Sequence, residues 1–231
     1  MVTEYVQRAT CRRLHVLHSM CSKMHFNQCT QFDLNYMKKK TRVKFLRRNE
    51  RQEMLIAAPL DLSFKKATTM NELANKRPQA VRTGKIPLRT AADRFVTCSL
   101  WLSNNSLTSM FGFENLAQKL LDDPSHLSWL DLSFNEIEQI ADDITHFPNL
   151  KIFYLHGNNI SDINDVVKLK KLSTLKSLTL HGNPIENLPY YRGYIVHILP
   201  QLTTLDFSAV LSTERKKAAP AGFYKIIYGS T

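Results

Sequence analysis

Cys11, His15, His18, Cys21, His25 and Cys29 are of the types that bind soft metals. On a helix, Cys11, His15, His18, His25 and Cys29 would share one face. A zinc site usually announces itself by paired ligands at close spacing, and no Cys-x-x-Cys is present, so no metal is expected here. The stretch also contains Arg and few acids, as a mitochondrial presequence does, although Glu4 interrupts it. A second pair, His156 and His181, could suggest metal binding or acid–base work. Neither a nucleophile elbow, a phosphate loop, a dinucleotide fingerprint nor a His-Glu-x-x-His helix accompanies it. No catalytic, cofactor or metal site is therefore expected, and the chain reads as a non-enzyme.

The third candidate is the basic run Lys38, Lys39, Lys40, Arg42, Lys44, Arg47 and Arg48. Tubulin surfaces, RNA and anionic lipid would all attract it. With few aromatic residues to stack on bases and no nucleic-acid module beside it, it reads as a solvated tail or a helix against an acidic partner, which argues against nucleic acid. The net charge of +11 is uneven. Residues 1–58 carry +8, 59–98 carry +5, 99–214 carry −6 and 215–231 carry +4, so an acidic middle lies between basic ends.

The elements that position these residues follow from that middle. The chain has 231 residues, 43% of them hydrophobic, which suits one core. No stretch reaches the ~18 to 20 apolar residues of a membrane span, and Glu4, Arg8, Arg12 and Arg13 break any secretory h-region. Three of the four Cys fall in the first 29 residues, which makes no disulfide framework and suits a reducing compartment. Leu127, Leu130, Leu132, Asn135 and Ile137 recur as Leu150, Phe153, Leu155, Asn158 and Ile160, and again as Leu175, Leu178, Leu180, Asn183 and Ile185. An earlier copy runs through Leu100, Leu102, Asn105 and Leu107, and a last one through Leu202, Leu205 and Phe207.

The pattern L-x-x-L-x-L-x-x-N-x-L resembles that of the leucine-rich repeat family. It implies an α/β fold, a right-handed solenoid of about five short parallel strands near 98–103, 128–133, 151–156, 176–181 and 203–208. Leu130, Leu132, Phe153, Leu155, Leu178, Leu180, Leu205 and Phe207 are expected inside. Asn105, Asn135, Asn158 and Asn183 are expected to satisfy buried backbone groups. The 30 residues from Asn105 to Asn135 hold Phe113, Leu116, Ala117, Leu120 and Leu121 at helical spacing, ended by Asp122, Asp123 and Pro124. The spacings of 23 and 25 that follow leave room for brief helical segments only.

The stretch from Asn183-Pro184 through Tyr191-Arg192, Leu199-Pro200 and Leu205-Asp206 is similar to the C-terminal cap of the short, phosphatase-regulator type of repeat. PLDLSF, SLWLSNNSL, LSWLDLSFNEIEQI, YLHGNNI, LKSLTLHGNPIE and TTLDFSAV extend the resemblance over about residues 59–218. The expected organisation is a basic extension over 1–58 without a core of its own and with a helix around 42–56. A flanking segment over 59–96, repeats over 97–189, a cap over 190–214 and a basic tail over 215–231 complete it. The resemblance implies a cytoplasmic protein-binding adaptor, with a ciliary or axonemal setting and axonemal or tubulin-associated partners. A ribonucleoprotein scaffold is the alternative, and oligomeric state is left open.

Strand alternation places the binding site. The outward residues form three rows: Ser99, Trp129, Ile152, Ser177 and Thr204; Trp101, Asp131, Tyr154, Thr179 and Asp206; Ser103, Ser133, His156, His181 and Ser208. Trp101, Trp129, Asp131, Ile152, Tyr154, His156, Thr179, His181 and Asp206 are the expected partner-binding residues. The competing expectation is that Trp101 and Trp129 pack on each other or under residues 59–96.

Overall fold

The computed structural model describes residues 57–228. The Cys/His cluster, the basic run and the helix expected around 42–56 lie outside the described residues. Within them, β1 (Leu60–Asp61), β2 (Ser99–Trp101), β3 (Trp129–Asp131), β4 (Ile152–Tyr154), β5 (Ser177–Thr179) and β6 (Thr204–Leu205) form one parallel sheet in chain order. A seventh strand, β7 (Ser208–Ala209), runs antiparallel to β6. All five expected strands are present, and the sheet starts one turn earlier, because Leu60 pairs with Leu100.

The strands are short, and inter-turn backbone bonds continue past each of them, as from the Leu132 N–H to the Tyr154 carbonyl and from the Phe134 N–H to the His156 carbonyl (both 2.9 Å). Leu100, Leu102, Leu130, Leu132, Phe153, Leu155, Leu178, Leu180 and Leu205 are fully buried and stack through the centre. On the convex side, α2 (Phe113–Leu120) follows α1 (Met70–Leu73) and buries Phe113, Leu116, Ala117 and Leu120 as the helical spacing predicts. The later turns use 3₁₀ segments and α3 (Ile163–Lys168), whose Ile163 and Val166 face inward with Leu169 and Leu172. Lys168 is half-buried and bonds Asp165 at 2.7 Å and the Ile140 carbonyl at 2.8 Å.

Phe207 corrects the inward set, being 59% exposed. Thr204 pairs with Ala209 and Leu205 with Ser208, so Asp206 and Phe207 are the two-residue loop of a hairpin. Both have positive φ, 50° and 60°, as a type I′ turn demands. The turn replaces the inward step of the strand and carries Phe207 out over the sheet. Ser208 lies in β7 and is likewise lost from the third row.

Each expected Asn is buried and joins two turns. Asn158 donates to the carbonyls of Leu132 (3.0 Å) and Leu155 (2.9 Å) and accepts from the Ile137 N–H (3.0 Å). Asn135 and Asn183 repeat the arrangement. Asn105 does the same for the first turn, which has Lys65 where the Asn would be. Its Oδ1 accepts from the Lys65 and Ala67 N–H groups at 2.9 and 3.2 Å.

Both sheet edges are closed. At β1, the excursion that leads to β2 doubles back so that the Gln79 N–H donates to the Asp61 carbonyl (2.9 Å). At the other end, α4 (Tyr191–Ile198) and α5 (Ser212–Lys216) clamp the hairpin. Arg192 donates to both carboxylate oxygens of Glu214 (2.6 and 3.2 Å) and to the carbonyls of Leu205 and Ala209. The bonds from Arg192 and from the Leu211 N–H hold the Glu214 carboxyl down at about 2. Residues 215–228, expected as a basic tail, fold back on the solenoid. The Tyr194 hydroxyl donates to the Ala221 carbonyl, His197 lies 3.1 Å from the Lys217 carbonyl, and α6 (Phe223–Tyr228) packs against α3.

Asn158→Ala would leave the buried Ile137 N–H without its acceptor and remove one of two amide donors from each of the Leu132 and Leu155 carbonyls, which Asn135 and Asn183 still serve. It is expected to lower unfolding free energy by about 1 to 3 kcal/mol, and Leu155→Ala by about 2 to 5 kcal/mol. Urea denaturation of each variant measures both.

Candidate functional site

The outward rows register across the sheet as the alternation requires. Ser99, Trp129, Ile152, Ser177 and Thr204 are consecutive partners, as are Trp101, Asp131, Tyr154 and Thr179. The large side chains of the two rows meet edge to face. Ring centroids are 5.1 Å apart from Trp101 to Trp129, 5.9 Å from Trp129 to Tyr154 and 5.3 Å from Tyr154 to Phe207. A continuous aromatic row therefore crosses the concave face from β2 to the β6–β7 turn. Edge-to-face pairing satisfies the ring quadrupoles and holds each side chain in one orientation. Among the described residues, the indole N–H groups of Trp101 and Trp129 are buried without an acceptor.

His156 and His181 lie one turn apart with parallel rings at 4.7 Å, as repeat geometry predicts. Phe207 caps both, at 5.5 and 5.6 Å. His156 Nδ1 is 2.8 Å from the Thr179 hydroxyl. Burial and the neighbouring His181 lower the His156 pKa below the ordinary 6.5, against the opposing pull of Asp131 and Asp206. The imidazole is thus kept neutral at neutral pH. Burial and the Asp131 carboxylate raise the Tyr154 phenol above its ordinary value, so it too is uncharged.

Three of the expected contact residues support the face from beneath. Thr179 is fully buried and serves His156. Asp131 is buried and accepts from the Ser133 N–H (3.0 Å) and hydroxyl (2.6 Å). Asp206 replaces a missing next strand. Its Oδ1 accepts from the backbone N–H groups of Leu180 (2.7 Å) and His181 (3.0 Å), and its Oδ2 from the Tyr191 hydroxyl (3.0 Å). Burial and the Asp206 charge push the Tyr191 phenol upward, so it remains a donor. Trp101, Trp129, Ile152, Tyr154, His156 and His181 stay partly exposed.

Residues 59–96 cover only the Trp101 end. The Arg82 guanidinium lies 4.7 Å from the Trp101 ring and 5.9 Å from that of Phe64. It is held by the fully buried Asp61, to which its Nε donates at 3.0 Å. Burial would raise the Asp61 pKa, but Arg82 and the Ser63 bonds outweigh it, and the net shift is downward.

Sequence reasoning missed the residue just before each repeat Asn and, in the first turn, before Lys65. Phe64, Asn104, Phe134, Gly157 and Gly182 all have φ between 52° and 70°. Phe64 and Phe134, both in D-L-S-F segments, project from that position at 59% and 54% exposure. Phe134 meets His156 at 5.0 Å. A Cβ on Gly157 would lie 2.7 Å from the Phe134 ring, so the glycine admits both the backbone turn and its neighbour. The repeated D-L-S-F was the available signal.

Residues 64–225 match the leucine-rich repeat family model. Leucine-rich repeat-containing protein 51 of Macaca mulatta is 45% identical over 161 residues, covering 69% of this chain and 82% of the relative. The chain belongs to the leucine-rich repeat family. As a leucine-rich repeat protein it is also similar to the probable U2 small nuclear ribonucleoprotein A′ of Caenorhabditis elegans, 41% identical over 95 residues, covering 41% of this chain and 38% of that one. The crystal structure of the Drosophila melanogaster SNF/U2A′ complex contains a chain 26% identical, with a TM-score of 0.46, covering 67% of this chain and 86% of that one. The family module suits protein–protein interaction, and no helix among the described residues is long and apolar enough to cross a membrane.

Because the His156 pKa is lower folded than unfolded, its stability contribution is fully present above the unfolded value of 6.5. That contribution declines as pH falls toward the folded value. Thermal melts between about pH 7.5 and about pH 5 should show a falling midpoint, with a shallower fall for His156→Gln.

Proposed function

We propose that the chain is a non-enzymatic adaptor that holds a protein partner on the concave face of its repeats. The observation that carries this reading is the row of partly exposed rings from Trp101 through Trp129 and Tyr154 to Phe207. Scattered apolar side chains are ordinary on a surface, whereas contiguous aromatic residues on one rigid face have the composition of interface anchors. In this reading Trp129, Ile152, Tyr154, His156, His181 and Phe207 touch the partner. Trp101, Asp131, Thr179 and Asp206 hold them in place. The groups that could otherwise do chemistry, Asp131, Thr179 and Asp206, are spent on hydrogen bonds within the face. A cytoplasmic ciliary or axonemal assembly with tubulin-associated partners is the setting we propose, and it rests on the family resemblance alone.

A second reading, a ribonucleoprotein scaffold, is favoured by the 41% identity to the Caenorhabditis elegans relative. It differs in requiring RNA in the complex. Trp129→Ala and Tyr154→Ala are each expected to weaken partner binding by about 1 to 4 kcal/mol, with far smaller effects on the melting temperature. Quantitative co-purification with the full chain and with the double variant measures this. Proteins retained equally by both would move the site off the concave face, and RNA retained in a salt-dependent way would favour the second reading.

A further inference from the structure

We infer that the partner held on the concave face is an acidic protein segment carrying apolar anchors. This rests on the adaptor reading and goes beyond it by fixing the sign of the partner's charge. The carboxylates that the strand positions bring to this face are spent within the fold. Asp61 is fully buried and bonded by Arg82, Gln79 and the Ser63 N–H. Asp131 is taken by Ser133, and Asp206 by the edge of β5 and Tyr191. Glu136 and Glu138 follow the buried Asn135, where the chain has already turned off the sheet.

Ahead of β4 and β5 the uncompensated charges are positive, whereas on the side where the turns leave the sheet exposed Glu186 is taken by the Gly182 N–H (2.7 Å). Lys151 and Lys176 stand immediately ahead of Ile152 and Ser177, side by side, with the Lys176 N–H donating to the Lys151 carbonyl at 2.8 Å. Both are exposed, and Lys176 Nζ bonds only a carbonyl, that of Gln201, at 3.2 Å. Among the described residues, neither of these two lysines forms an ion pair. A basic segment would be repelled by this border, whereas carboxylates on a segment anchored by apolar side chains would be drawn to it.

A single-stranded nucleic acid is also a polyanion that uses aromatic residues, but it needs ring faces on which successive bases stack. Here consecutive rings are tilted by 66°, 76° and 69° and cover one another's faces. That geometry favours side chains of a protein inserted among ring edges.

The test is selection of a random peptide library on the immobilised full-length chain at low salt. Enriched peptides should be net acidic and carry Trp, Phe or Leu. Their affinity should fall about tenfold or more for the Lys151→Glu, Lys176→Glu double variant and lose much of its salt dependence, and it should fall similarly for Trp129→Ala. Circular dichroism melts of the lysine variant should match those of the parent chain. Enriched peptides that are neutral or basic, or that ignore the lysine substitutions, overturn the charge inference while leaving the adaptor reading standing if Trp129→Ala still weakens them. Peptides indifferent to Trp129→Ala overturn that reading and the inference together. Retention of polyuridylate in place of peptides, or no enrichment, also overturns the inference.

Discussion

The buried amide at the end of each strand is the interaction on which the rest of the molecule depends. A two- or three-residue strand makes few ladder bonds, and the chain must then turn through the interior, where each unpaired carbonyl or N–H costs about 1 to 3 kcal/mol. Asn158 meets both demands with one side chain, donating to Leu132 and Leu155 and accepting from Ile137. Because it bonds its own turn and the one before, it sets the stagger between them. That stagger is what brings Trp129, Ile152 and Ser177 into one row and stacks His156 on His181. The concave face is thus a consequence of hydrogen bonds made on the far side of the strand.

The two closures of the array also finish that face. The carboxylate of Asp206 takes the N–H groups that a further strand would have taken, and the turn it belongs to lifts Phe207 onto the histidine pair. At the first strand, Gln79 and Arg82 satisfy Asp61, and the same guanidinium lies against Trp101. Edge protection and the ends of the aromatic row are made by the same residues, so a substitution that loosens a closure also disturbs the surface.

Much of this was legible in the sequence because a rigid template constrains it. The inward Leu residues, the four Asn residues and the rows containing Trp129, Tyr154 and His156 follow from a period that leaves no freedom in register. Four features escaped. The first turn has Lys65 in place of Asn, and its buried N–H groups are served by Asn105 from the next turn. Phe207 continues the alternation by type but sits in a reversal that two residues of positive φ create. The excursion over 74–96 has no period, so its role in closing β1 through Gln79 and Arg82 appears only in three dimensions. Phe64 and Phe134 were hidden for a related reason, since a bulky residue is a rare occupant of the left-handed region.

The contact between Phe134 and Gly157 restricts how such an array can change over time. The left-handed position recurs in every turn, and the ring of Phe134 fills the space where a side chain on the next turn would begin. In the orientation Phe134 adopts, the successor position has no room for a Cβ, so Phe134 and Gly157 form one unit; Phe64, whose successor is Asn104, lies by Arg82 instead. Duplicating the Phe134 turn in tandem would set ring against ring and force the shared stagger apart. A copy of the Phe134 turn is therefore accommodated only where a glycine-bearing turn follows it.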